Sequence, residues 1–89
     1  VVVDPSNPDR LFALQTERSQ DREINLWQAD ADSLQWQRRG LLISQPGVED
    51  FGYPWMTHVG ANDWFLVYYS GATNGPNSIY GMKITIPRD

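Results

Sequence analysis

The chain has 89 residues, 11 acids against seven Lys and Arg, a formal charge of −4 and no cysteine. That length makes at most one domain, and one that buries only about 60–65% of the surface its unfolded chain exposes. With no cysteine there is no disulfide framework or thiolate metal site. Without a basic run there is no footprint for nucleic acid.

No stretch reaches the roughly 20 apolar residues of a membrane span, and no charged segment leads into a short apolar one as in a signal peptide. No redox compartment or cellular location is indicated. The chain opens "VVVDP" without Met, and the expectation is that an upstream portion has been removed.

In chain order, prolines and glycines cut the sequence into short segments rich in β-branched and aromatic residues. Strands are expected at "VVVD" (1–4), "RLFALQTE" (10–17), "EINLWQAD" (23–30), "LQWQRR" (34–39), "GLLIS" (40–44), "YPWMTHV" (53–59), "WFLVYYS" (64–70) and "SIYGMKITI" (78–86). The connections "PSNPD", "GAND" and "GATNGPN" carry turn chemistry, since Asn, Asp and Gly tolerate left-handed backbone and Pro presets one turn dihedral. The pattern predicts an all-β, antiparallel fold. "WFLVYY" and "LFAL" are apolar at successive positions, so both faces of those strands are expected to be covered, as in stacked sheets.

An internal repeat organises these segments. "VVVDPSNPDRLFALQTERSQDREINLWQADA" aligns with "WMTHVGANDWFLVYYSGATNGPNSIYGMKITI" at an offset of about 54 to 55 residues, within the range of radial repeats such as propeller blades. "ADADSLQWQRRGLLI" between the copies supplies an outer edge strand for the first. The chain is therefore expected to be one partial β-propeller domain of two blade-like repeats, 1–47 and 48–89. A small sandwich or barrel is the alternative.

"INLWQADADSLQWQRRGLLI" resembles the recurring segment of sugar-cleaving β-propellers, a polar turn followed by a Trp and an apolar edge strand. Asp30, Asp32 and Ser33 precede Trp36 here, in an order that departs from the sialidase Asp-box. "DFGYPWMTHVGANDWFLVYYSG" is similar to a segment in late blades of sialidase-like proteins and, more loosely, to five-bladed furanosidase and arabinanase propellers. The resemblance implies a glycoside hydrolase-like protein that acts on or binds a glycan, with no cofactor. It implies Tyr53 as nucleophile, with Glu49 and Asp50 as candidates for the carboxylate pair that glycosidases use.

Each of these residues also has a plainer reading. Tyr53 fits an inner strand with its hydroxyl bonded to backbone, and Glu49 and Asp50 fit solvated loop acids, which as strand neighbours would face opposite sides. Trp55 is placed to stack on the apolar face of a sugar, or to fill the core. His58 is the only histidine; it reads as a substrate-binding or a structural imidazole, and no metal is expected. Glu17 ends the strand that matches in the first repeat, where a blade would carry it toward the loops, or simply to the surface. Arg18, Arg22, Arg38 and Arg39 are candidates for clamping a carboxylate, or solvated charges.

Propeller sites collect residues from four or more blades, so two blades cannot surround a substrate. The partners expected are a glycan, together with further copies of the chain or missing blades. A non-catalytic glycan-binding module and a small β interaction domain are the alternatives.

Overall fold

The computed structural model describes residues 1–17, 22–71 and 77–87. They form seven strands and no helix: β1 (Val2–Asp4), β2 (Asn7–Glu17), β3 (Glu23–Asp30), β4 (Gln37–Ser44), β5 (Asp50–Gly60), β6 (Asp63–Gly71) and β7 (Asn77–Thr85). The chain divides into two compact units, Val1–Gly47 and Val48–Asp89. The first holds a four-stranded sheet in the order β1-β2-β3-β4, the second a three-stranded sheet in the order β5-β6-β7. Every pairing is antiparallel. The all-β antiparallel expectation therefore holds, and β4 lies at the outer edge of the first sheet, beside β3.

In the first unit β2 and β3 pair without interruption from Arg10↔Asp30 to Glu17↔Glu23. This register puts Phe12, Leu14, Ile24 and Leu26 on one face, and Ile43 joins them opposite Ile24. Phe12, Ile24, Leu26 and Ile43 are buried. The tight β1–β2 connection is shaped by Asp4. Its Oδ1 accepts hydrogen bonds from Ser6 N (2.9 Å) and Ser6 Oγ (2.8 Å), the side-chain turn that Asp favours. Its Oδ2 accepts from Arg10 Nε (2.9 Å) and lies 2.7 Å from Arg10 Nη2. The Arg10 guanidinium sits 4.9 Å from the centre of the Phe12 ring, so this ion pair rests directly on the core.

Two segment boundaries differ from expectation. "LQWQRR" is not a strand from its start: Leu34 takes a left-handed φ of 53°, and its N–H closes a turn onto Asp30 O at 2.9 Å. β4 begins only at Gln37, and the two expected segments merge there into one strand. "PSNPD" is shorter as a turn than expected, because Asn7 already pairs with Asp4 and Pro8 and Asp9 belong to β2. Residues 18–21 and 72–76, which carry Arg18 and most of the "GATNGPN" turn, lie outside the described residues.

β6 corrects the expectation of two covered faces. Trp64, Leu66, Tyr68 and Ser70 are buried, whereas Phe65 is 42% exposed and Val67 and Tyr69 are half-buried. The strand alternates after all, with its outward positions filled by apolar residues instead of polar ones. Those residues are partly sheltered by neighbours within their own sheet. Phe65 lies over Gly81 so closely that a Cβ there would come within 2.7 Å of its ring, and Tyr69 is covered by Tyr53.

Truncation of the fully buried Leu66 to Ala should cost about 2–5 kcal/mol, while Phe65→Ala on the outward face costs less, in paired urea titrations. Around Asp4, burial by itself would raise the carboxyl pKa, but the Ser6 hydroxyl, the Ser6 N–H and Arg10 together outweigh it and hold the pKa below the usual value. A depressed folded-state pKa stabilises the fold above the unfolded value of about 3.9 and is lost as pH falls through the folded value. Wild-type stability should therefore decline below pH 4 more steeply than that of Asp4→Asn. That variant should lose about 3 kcal/mol at pH 7 by taking the carboxylate away from a buried guanidinium.

Candidate functional site

The site is built on β5 and β6, beginning with an irregularity in β5. Gly52 pairs with Tyr69 and Trp55 with Val67, so three steps on β5 oppose two on β6, which is a β-bulge. Gly52 takes φ 141° and Tyr53 takes φ 48°. The first suits glycine; the second is sparsely populated for a bulky residue and costs on the order of 1–3 kcal/mol. Pro54 follows, in a strand at the sheet edge where its missing N–H breaks no ladder.

The bulge puts Asp50 on the outward face, and Tyr53 points there as well. Its ring stacks on Tyr69, centroids 5.4 Å apart and planes 24° from parallel. Tyr69 OH donates to Asp50 Oδ1 at 2.6 Å, the short distance of a hydroxyl bonded to a carboxylate. Asp50 pairs with Gly71 across the ladder, so it reaches Tyr69 along the diagonal. Trp55 continues the same face beside Val67, followed by Thr57 beside Phe65. Tyr53 is 80% exposed and Trp55 61%. Ile79, opposite Tyr69 on β7, is exposed as well. The result is an open aromatic surface with one carboxylate held at its end by a phenol.

The other expected site residues lie elsewhere. Glu49 is exposed and sits one residue before β5, so strand alternation does not govern its direction. His58 pairs with Trp64 on the face opposite Trp55. Its ring packs edge-on against Trp64 at 5.1 Å, and its Nε2–H donates to Ala61 O at 2.7 Å, since a carbonyl can only accept. The tight turn at Ala61, with φ 45°, is thereby tied down. Glu17 ends β2 in the other unit, across from Glu23. Arg38 donates through Nε and Nη2 to Asn25 Oδ1 at 3.2 and 2.8 Å, and Arg39 Nη1 to Gln28 Oε1 at 2.7 Å.

Tyr69 is the member that sequence reasoning missed. The signal was present in the alternation Phe65, Val67, Tyr69, but its bond to Asp50 depends on a register that only the bulge defines. At the opposite end of the face, Asp63 accepts from Thr85 Oγ1 at 2.7 Å and lies 3.4 Å from Lys83 Nζ. The Thr85 hydroxyl first, and then Lys83, lower its pKa despite opposing desolvation. Tyr68, on the buried face, stacks on Tyr80 at 5.7 Å; burial and then Tyr80 push its phenol up.

The first unit has a feature of its own, a shallow groove of about 330 Å³ lined by Val1, Ala13, Gln15, Trp27 and Trp36. Gln15 and Trp27 are joined by an indole N–H to amide oxygen bond of 2.7 Å. Among the described residues no three His, Asp or Glu side chains converge as metal ligands would. No protein-family model matches the chain, and neither a curated protein nor a solved structure matches it.

If Tyr69 is anchored as described, Tyr69→Phe should lower stability by about 1 kcal/mol, the net worth of a half-exposed hydrogen bond. It should also loosen the Tyr53 ring, read in NMR as loss of the ring-to-ring contacts between positions 53 and 69.

Proposed function

We propose that this chain binds glycans through the outward face of the β5–β6–β7 sheet, as a member of the carbohydrate-active β-propeller group of sialidase or furanosidase type. The observation that carries this reading is the pair Tyr53 and Trp55, largely exposed on one face beside the Asp50–Tyr69 pair. Large aromatics exposed together are a standing cost in water and mark binding surfaces. Flat rings suit the apolar C–H face of a sugar, and Asp50 and Thr57 offer oxygens to hydroxyls at the rim.

The strain at Tyr53 fits this reading. A residue forced into left-handed backbone so that its ring joins an exposed surface has a use there. The blade-like repeat is supported by the matching chain order of the two sheets, β1-β2-β3 and β5-β6-β7, each an antiparallel meander. In this reading further blades, from additional chain or additional copies, complete the ring.

Hydrolysis is a second reading and rests on one contact. A carboxylate 2.6 Å from a phenol is placed to take its proton, which is how a tyrosine nucleophile is activated. In that case Tyr69, instead of Tyr53, is the nucleophile and Asp50 its base. Glu49 would be the neighbouring acid.

A glycan array followed by titration calorimetry tests the binding reading. Trp55→Ala should weaken affinity about tenfold, or roughly 1.4 kcal/mol, with the fold intact by circular dichroism. Binding unaffected by that change, or no glycan bound at all, would refute it. For the hydrolytic reading, Tyr69→Phe should abolish turnover of chromogenic glycosides while Tyr53→Phe retains it; equal losses would refute that assignment.

A further inference from the structure

The two sheets present four edges, and three of them are blunted. β1 has only three residues and an irregular register at Val3/Asp4. β4 carries Arg38 and Arg39 and two register shifts against β3. β5 has Pro54 and two register shifts against β6. Short strands, bulges, charges and prolines are the devices by which sheet edges avoid pairing with other chains.

β7 has none of them. It pairs with β6 through nine consecutive positions, Asn77↔Gly71 to Thr85↔Asp63, with no shift. It contains no proline and a single charge, Lys83, which already lies beside Asp63. Ile79 is 83% exposed, and Tyr80 and Met82 are exposed on the other side of the strand. A straight, regular strand with apolar side chains on both faces and its outer row of N–H and C=O groups unpaired within its own sheet is a template for strand addition.

We infer that the β7 edge is an association surface for a second copy of this chain, β7 pairing antiparallel with β7 across a twofold axis. One register uses the whole strand. Centred on Gly81, it pairs all nine residues, with Tyr80 opposite Met82 and Ile79 opposite Lys83, each twice. Any other register leaves residues unpaired. This one also keeps the two Lys83 ammonium groups apart, and Asp63 offsets each of them, so no like charges meet. Tyrosine against methionine is a favourable cross-strand contact. The product is a continuous six-stranded sheet, β5-β6-β7-β7-β6-β5, that leaves no unblunted edge among the described strands. This inference does not depend on glycan binding by the outward face, and it competes with the propeller reading, in which a fourth strand would cover β7 as β4 covers β3.

Charge placed at position 79 tests both the surface and its register. Ile79→Lys sets a second ammonium group against Lys83 at two places across the axis, whereas Ile79→Glu sets opposite charges there. Position 79 is outward and largely exposed, so neither change disturbs packing within the chain, which circular dichroism checks. Sedimentation velocity over a hundredfold concentration range should give a mass of two chains for the wild type and for Ile79→Glu, and of one chain for Ile79→Lys. Amide exchange in the wild type should slow at Ile79–Lys83 as concentration rises. A wild-type monomer throughout overturns the inference. So does an oligomer that ignores both substitutions or loses mass equally with both, and so does exchange at β7 that is independent of concentration.

Discussion

The second unit is organised by the bulge at Gly52–Tyr53. Without the extra residue, Trp55 opposite Val67 would place Tyr53 opposite Tyr69 but Phe51 opposite Gly71 on the outward face, with Asp50 turned to the other side. With it, Tyr53 takes φ 48° and stacks outward, Tyr69 is fixed between that ring and Asp50, and Phe51 and Met56, on either side of the bulge, remain buried. The strain is local, on the order of 1–3 kcal/mol, and the stack and the short hydrogen bond offset part of it. An irregular strand thus produces an ordered surface, and it does so at a sheet edge, where a bulge disrupts the least pairing.

The two units use polar contacts differently. In the first, Asp4 and Arg10 are both buried and engage each other and Ser6; the pair shapes a two-residue turn and lies against Phe12. In the second, Asp50 and Asp63 stand at the two ends of an outward face, each held by a hydroxyl from a neighbouring strand. A buried pair ties folding to pH, whereas carboxylates at an open rim remain within reach of a ligand.

Much of the architecture was legible from local composition. β-Branched and aromatic runs between turn residues located β2, β3, β6 and β7 to within about three residues at either end, because strand length and turn chemistry are local properties. β4 was misread at its start because Leu34 and Trp36 look like strand residues, while the turn that excludes them is set by a backbone bond from Leu34 to Asp30. "WFLVYY" misled because apolar composition was equated with coverage; Phe65 and Tyr69 are partly sheltered by a glycine and by another tyrosine, which needs the register to see. Strand alternation places Tyr53 and Trp55 on one face, and proximity in sequence adds one of Glu49 or Asp50 without choosing between them. Alternation along β5 already keeps His58 off the face of Tyr53 and Trp55; what depends on the bulge is that Asp50 joins them there.

Photochemically induced nuclear polarisation, which labels aromatic rings by their contact with a dissolved dye, tests the central claim most directly. The bulged register predicts strong signals from Tyr53 and Trp55 and none from Trp64 or Tyr68, whose residues are 2% and 7% exposed. Silent Tyr53 and Trp55, or a polarised Trp64, would mean that β5 and β6 pair in another register and that the aromatic face does not exist.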